Sequence, residues 1–158
     1  MSVDTKNVLG RRKLRFTSLE EVIADAEKLV SSPNTRMLGN WPLDRLLTHL
    51  AHGIDRSIDG STVKAPRVVR LIAPFFKGRI LKNGMSAGTK LPKQAEVSLY
   101  PAVDSPQEAL EKLRTAVGRL RNEKMTASHP VFGRITPEEW LQFHLRHSEL
   151  HLSFAVPS

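Results

Sequence analysis

Two stripes of apolar residues at helical spacing organise the chain. The first is Leu43, Leu46, Leu47, Leu50, Ile54 and Ile58; the second is Trp140, Phe143, Leu150 and Phe154. Residues three or four apart share one face of an α-helix, so each stripe predicts a helix with one buried side. Start signals stand ahead of both. Asn40-Trp41-Pro42 opens the first, with Pro42 in a first-turn position where its missing N–H costs little, and this helix is expected to run to Gly60. Thr136-Pro137-Glu138-Glu139 opens the second, over 137–154. It is a capping box, in which the hydroxyl accepts a free first-turn N–H while the carboxylate reaches back to the cap. Ser18 with Glu21, and Ser105-Pro106-Gln107-Glu108, are two more such boxes and predict helices over 19–31, ended before Pro33, and 106–122.

The remaining segments are less regular. Residues 66–82 are very apolar and basic, and Pro74 is expected to kink or split any helix there. Residues 84–104 carry Gly84, Gly88, Pro92 and Pro101 and read as a long loop, of the kind that forms lids and site walls, with a short alternating piece at 96–100 that an extended strand would suit. No internal repeat or low-complexity tract is visible. The predicted fold is all-α, four or five helices around one core.

Length and composition narrow the class. At 158 residues the chain has the size of one domain, expected to span 1–158. Its 40% hydrophobic and 25% charged residues give a core too large for a disordered protein. With no cysteine, neither disulfides nor thiolate ligation is available from the chain, so a metal would be held by nitrogen or oxygen. The N-terminal residues lack an apolar run of signal-peptide length, and the most apolar internal run is interrupted by Arg70 and Pro74. The expectation is a cytoplasmic protein without a transmembrane segment. The net charge of +8 raises the prior for an anionic partner without choosing among nucleic acid, acidic lipid and a carboxylate-bearing small molecule.

The six histidines are unevenly placed: His49 and His52 are three apart, as are His144 and His147, and His147 and His151 are four apart. Four residues is one helical turn, which lets two imidazoles converge on one ion. His144, His147 and His151 share the inward stripe of the last helix. A histidine pair on an apolar face is more often hydrogen-bonded core than a ligand set, so a third ligand from elsewhere is needed to reverse that reading. His49, at the edge of its stripe beside Leu46, can point between helices and supply it. His52 lies on the opposite face and reads as solvated. His144 reads as a pocket residue or an extra ligand, and His129, in a loop, as exposed.

Leu46-Leu47-Thr48-His49-Leu50 and His147-Ser148-Glu149-Leu150-His151 together resemble the DinB/YfiT-like metalloenzyme superfamily. The second half, notably His129-Pro130-Val131-Phe132-Gly133 and residues 140–154, is similar to a bacterial branch of it catalogued only as a domain of unknown function. The resemblance covers roughly residues 15–156. It implies a four-helix bundle of up-down-down-up arrangement, with a long loop before the third main helix, and a mononuclear site of His49, His147 and His151. His144 has no ligand role in that pattern and stays a pocket candidate. The superfamily includes thiol-cofactor-dependent transferases, hydrolase-like proteins and members without known activity, and fold does not choose among them.

Three nitrogen ligands leave a coordination position open for water or substrate, the arrangement of a catalytic ion. Zinc, nickel or iron would suit imidazoles, and a low-molecular-weight thiol could serve as a second cofactor. The expected partner is a small-molecule substrate; a homodimer is left open, and the catalytic residues are unassigned. No general base is evident, and the sequence does not pick out the carboxylates that would orient the imidazoles; Asp44 and Glu149 are only nearby in sequence. Lys90, Lys93 and Arg134 read as solvated charge that an anionic cofactor could also use. The main rival is a basic module for nucleic acid or an anionic surface, because residues 64–82 hold Lys64, Arg67, Arg70, Lys77, Arg79 and Lys82 and no acidic residue. Nucleic acid is disfavoured, since no recognition motif and no interleaved aromatics accompany the charge. The other rival is a non-catalytic, structural metal site.

Overall fold

In the computed structural model, which describes residues 3–88 and 105–158, the capping side chains open three helices at the positions their chemistry directs. Ser18 Oγ accepts the N–H of Glu21 at the start of α1 (Leu19–Ser31). Helix α2 (Leu43–Asp59) begins one residue later than Pro42's expected place, with the Pro42 carbonyl accepting the first helical bond from Leu46. Then come α3 (Arg67–Asn83), α4 (Pro106–Arg119), opened by Ser105 Oγ on the N–H of Glu108, and α5 (Pro137–Leu152). At α5 the capping box is complete: Glu139 N donates to Thr136 Oγ1 (3.2 Å) and Thr136 N to Glu139 Oε2 (3.0 Å).

These five helices make the described chain all-α, apart from a two-residue antiparallel pair, β1 (Arg36–Met37) with β2 (Ala155–Val156). That pair corrects the C-terminal end of α5, expected at 154. Leu38 N donates to the Phe154 carbonyl (2.8 Å), and tertiary pairing takes over where the helix would have continued. Helix α4 stops at Arg119 rather than 122, its last turn tightened by a bond from Leu120 N to the Val117 carbonyl. Pro74 does not split α3. Its backbone partner, the carbonyl of Arg70, lies on an exposed turn where water can replace the lost N–H. The extended piece expected at 96–100, and most of the expected loop, lie outside the described residues.

The main core gathers Val22, Ala26 and Leu29 from α1, Leu46, Leu47, Leu50 and Ile54 from α2, Ala109, Leu113 and Ala116 from α4, and Leu145 and Leu152 from α5. Full burial of the valine, leucine and isoleucine side chains among them stabilises by roughly 1.5–3 kcal/mol each. A second cluster, Met125, Phe132, Ile135 and Trp140, lies beside α3, which adds Ala73 and Ile80 to it. The N-terminal segment is tied to the end of α5. Arg12 forks onto Asp25 of α1 (2.7 Å to each oxygen) and donates to the carbonyl of Leu152, an acceptor that the helix end leaves free, and to that of Ala155 in β2. The result presents the buried face of α2 to the face of α5 that carries the histidines.

Candidate metal centre

His49 extends from α2 toward α5, where His147 and His151 stand one turn apart. His49 Nε2 lies 2.9 Å from His147 Nε2, which in turn lies 3.0 Å from His151 Nε2. The three ring nitrogens all fall within 4.8 Å of one another, and the group could hold a metal ion. His49 is buried at 7% exposure, while His147 and His151 are mostly buried with some surface left exposed.

The hydrogen-bonding capacity of the rings fits a cation. A neutral imidazole has one N–H and one lone pair. His147 Nε2 has two nitrogen neighbours at hydrogen-bond distance, and a single lone pair or a single N–H cannot serve both well. Three lone pairs turned on one ion remove the conflict. Nitrogens sharing a tetrahedral ion at bond lengths near 2.0–2.1 Å would stand about 3.3 Å apart, so the His49–His147 and His147–His151 spacings of 2.9 and 3.0 Å would need to open by only a few tenths of an ångström. Burial pushes His147 down to about 4 and, with the neighbouring rings, holds His49 and His151 well below 6.5. All three are therefore neutral at pH 7 with their lone pairs free of protons.

Aromatic rings hold the cluster in place. Trp41, just ahead of α2, stacks on His151 (5.2 Å between centroids, 6° between planes) and meets His49 edge-on at 5.2 Å, with the Arg45 guanidinium over its outer face. Phe143 stacks on His147 at 5.3 Å. Trp41 enters the sequence reading only as part of a helix-start signal, and nothing in its distance from His151 along the chain marks it. Gly53 sits over the same rings: a Cβ there would meet His147 Nδ1 and Cε1 at 3.8 Å and His144 Cε1 at 3.9 Å, ordinary contact distances. Gly53→Ala is therefore expected to raise stability by about 0.5–1 kcal/mol, the usual gain from removing a mid-helix glycine. Its metal content should stay that of the wild type, because the ring nitrogens that converge are Nε2; urea unfolding and elemental analysis check the two halves.

Other sequence-marked residues fall elsewhere. His144 is buried beside the cluster without joining it, stacked on Trp140 at 5.3 Å, its Nε2 without a hydrogen-bond partner among the described residues. His129 corrects the expectation of an exposed loop residue. It is 6% exposed, with Trp140 and Phe143 packed against the ring, and the chain from His129 to Gly133 folds back on it: the N–H groups of Val131 and Phe132 both donate to Nδ1 at 3.1 Å, and Gly133 closes the turn at φ 73°. Burial pushes both His129 and His144 down to about 3. His52 is half-buried in a groove with Asp55, Glu111 and Lys112, toward α4 and away from the cluster. Glu149 does not orient an imidazole; it accepts the N–H of Phe16 at 2.7 Å and pairs with Arg146. Arg134 is exposed, and Lys90 and Lys93 lie outside the described residues.

No curated protein and no solved structure matches the chain. The family comparison fits the geometry, in that the matched span, residues 9–158, takes in every residue of the cluster and the rings around it. The chain belongs to the family described as "Protein of unknown function (DUF1569)".

Proposed function

We propose that His49, His147 and His151 hold one divalent metal ion in a DinB-like four-helix bundle, and that the ion serves an enzyme which activates a small nucleophile. The convergence of three Nε2 atoms from two helices, at 2.9 and 3.0 Å, carries this reading. Such an ion, when bound, would supply Lewis acidity that lowers the pKa of water, for hydrolysis, or of a low-molecular-weight thiol, for transfer, so that either loses its proton to solvent near neutral pH. The chain itself supplies the rest. Burial keeps the three rings uncharged, Trp41 and Phe143 restrict their rotation, and a small molecule would approach from the partly exposed His147 and His151. Zinc, nickel and iron all suit an all-imidazole set.

Elemental mass spectrometry of tag-free protein tests the site. Wild type is expected to carry close to one ion per chain, whereas His49→Ala and His147→Ala/His151→Ala bind it far more weakly. Loss of a ligand should exceed the roughly 10–100-fold that loss of an outer-shell partner costs. Wild type that stays metal-free after reloading with zinc, nickel and iron would return the histidines to ordinary packing. Metal-loaded protein then goes to ester, amide and thiol-acceptor panels; turnover abolished in His147→Ala supports the enzyme. A stoichiometric ion that raises the melting temperature without any turnover would make it a clamp between α2 and α5.

A further inference from the structure

Helix α3 turns its apolar side away from the protein. It is held to the body by Ala73, Ile80 and buried Leu81, by an ion pair from Lys77 to Glu139 of α5 (2.6 Å), and by Arg15, which donates to the Lys82 carbonyl (2.7 Å). On the outer side Val68, Leu71, Ile72 and Phe75 follow one another at helical spacing with exposures of 68, 75, 49 and 86%. Phe76 and Val69 continue the patch at its margin, at 54 and 44%. A contiguous apolar surface of this kind marks an interaction site rather than ordinary scatter.

Charge selects the occupant. Between residues 64 and 82 there are six basic residues and no acidic one, and Arg67, Arg79 and Lys82 project among the outward apolar residues. Intermixed cations of this sort suit an interface between oil and anion, because long Arg and Lys stems lie along an apolar surface while their heads reach the charged layer. A second copy of this helix would instead bring like charges together. No described helix is long and apolar enough to cross a membrane; a helix that lies in the headgroup region needs instead one apolar face with cations beside it. We propose that α3 docks the protein on an anionic lipid bilayer through Val68, Leu71, Ile72 and Phe75, with Arg67, Arg79 and Lys82 on the headgroups. This surface stands independently of the histidine site.

Vesicle co-sedimentation of the full chain tests it, using phosphatidylcholine alone and phosphatidylcholine with about one-third phosphatidylserine. Wild type is expected to partition onto the anionic vesicles at least about tenfold better than onto neutral ones, and to lose most of that preference in 0.5 M salt. Leu71→Ser/Phe75→Ser and Arg67→Glu/Arg79→Glu change exposed side chains, so both should keep the wild-type circular dichroism and melting temperature while binding at least about tenfold more weakly. Absence of wild-type binding to anionic vesicles would overturn the proposal, as would binding undiminished in Leu71→Ser/Phe75→Ser. A dimer in light scattering that Leu71→Ser/Phe75→Ser dissociates, without vesicle binding by wild type, would assign the face to a second copy. Salt-sensitive binding to a short duplex DNA without vesicle binding would assign it to nucleic acid; each of these results also overturns the proposal.

Discussion

Arg146→Leu is expected to lose about 3–5 kcal/mol of unfolding free energy, the usual cost of leaving one member of a buried ion pair alone. Arg146 is 2% exposed in the middle of α5. Its Nη2 donates to the Phe16 carbonyl at 2.7 Å and its Nη1 lies 3.1 Å from Glu149 Oε1, the same oxygen that accepts the N–H of Phe16. Both polar groups of one backbone residue are thus satisfied by two charged side chains one turn apart, and this joins the segment before α1 to the histidine-bearing helix. Without the guanidinium, the Glu149 carboxylate stays buried, with the more exposed Arg15 at 3.8 Å as its remaining cation among the described residues, and the Phe16 carbonyl loses its donor. Arg146→Leu/Glu149→Leu should recover part of the loss, since it removes the stranded charge. Urea unfolding at pH 7.5 of the wild type, Arg146→Leu and the double variant measures this; a loss below about 1 kcal/mol in Arg146→Leu would mean that water screens the pair.

The same knot separates what sequence can reveal from what it cannot. Helix starts were legible because a capping box is a local device: Thr136 and Glu139 bond each other's backbone within four residues, and the spacing alone names them. The metal candidates were legible for a related reason. A four-residue interval fixes His147 and His151 on one face whatever surrounds them, and the apolar stripe of α2 aims that helix at the core. The partnership of Arg146 and Glu149 with Phe16, 130 and 133 residues away, leaves no local trace in the sequence. The end of α5 at 152 was decided in the same way, by the pairing of β1 with β2 just beyond it. His129 fell between the two cases: its Gly133 turn is local, but burial of the ring depends on Phe143 and Trp140 packing over it.

Acid should unfold the metal-free protein early, because its buried histidines are neutral. His129 and His144 titrate at about 3 in the folded chain, both through burial, against 6.5 when unfolded. A lowered folded-state value means that the unfolded chain binds more protons between the two. The stabilising contribution is therefore fully present above pH 6.5, falls as pH drops through 6.5, and continues to fall until about pH 3. At about 1.4 kcal/mol per proton per pH unit, the two residues together remove roughly 4 kcal/mol between pH 7.5 and 5.0, a large share of an ordinary domain's 5–15 kcal/mol. His49, His147 and His151 push the same way, so this is the lower bound of the slope while a chelator keeps ions away. His144→Leu, close in volume, should still unfold cooperatively at pH 7.5 yet lose about 2 kcal/mol less than wild type on going to pH 5.0. Urea melts at pH 7.5, 6.0 and 5.0 with chelator present read the difference. An unchanged pH dependence in His144→Leu would show that the ring is reached by water and takes its proton in the folded state.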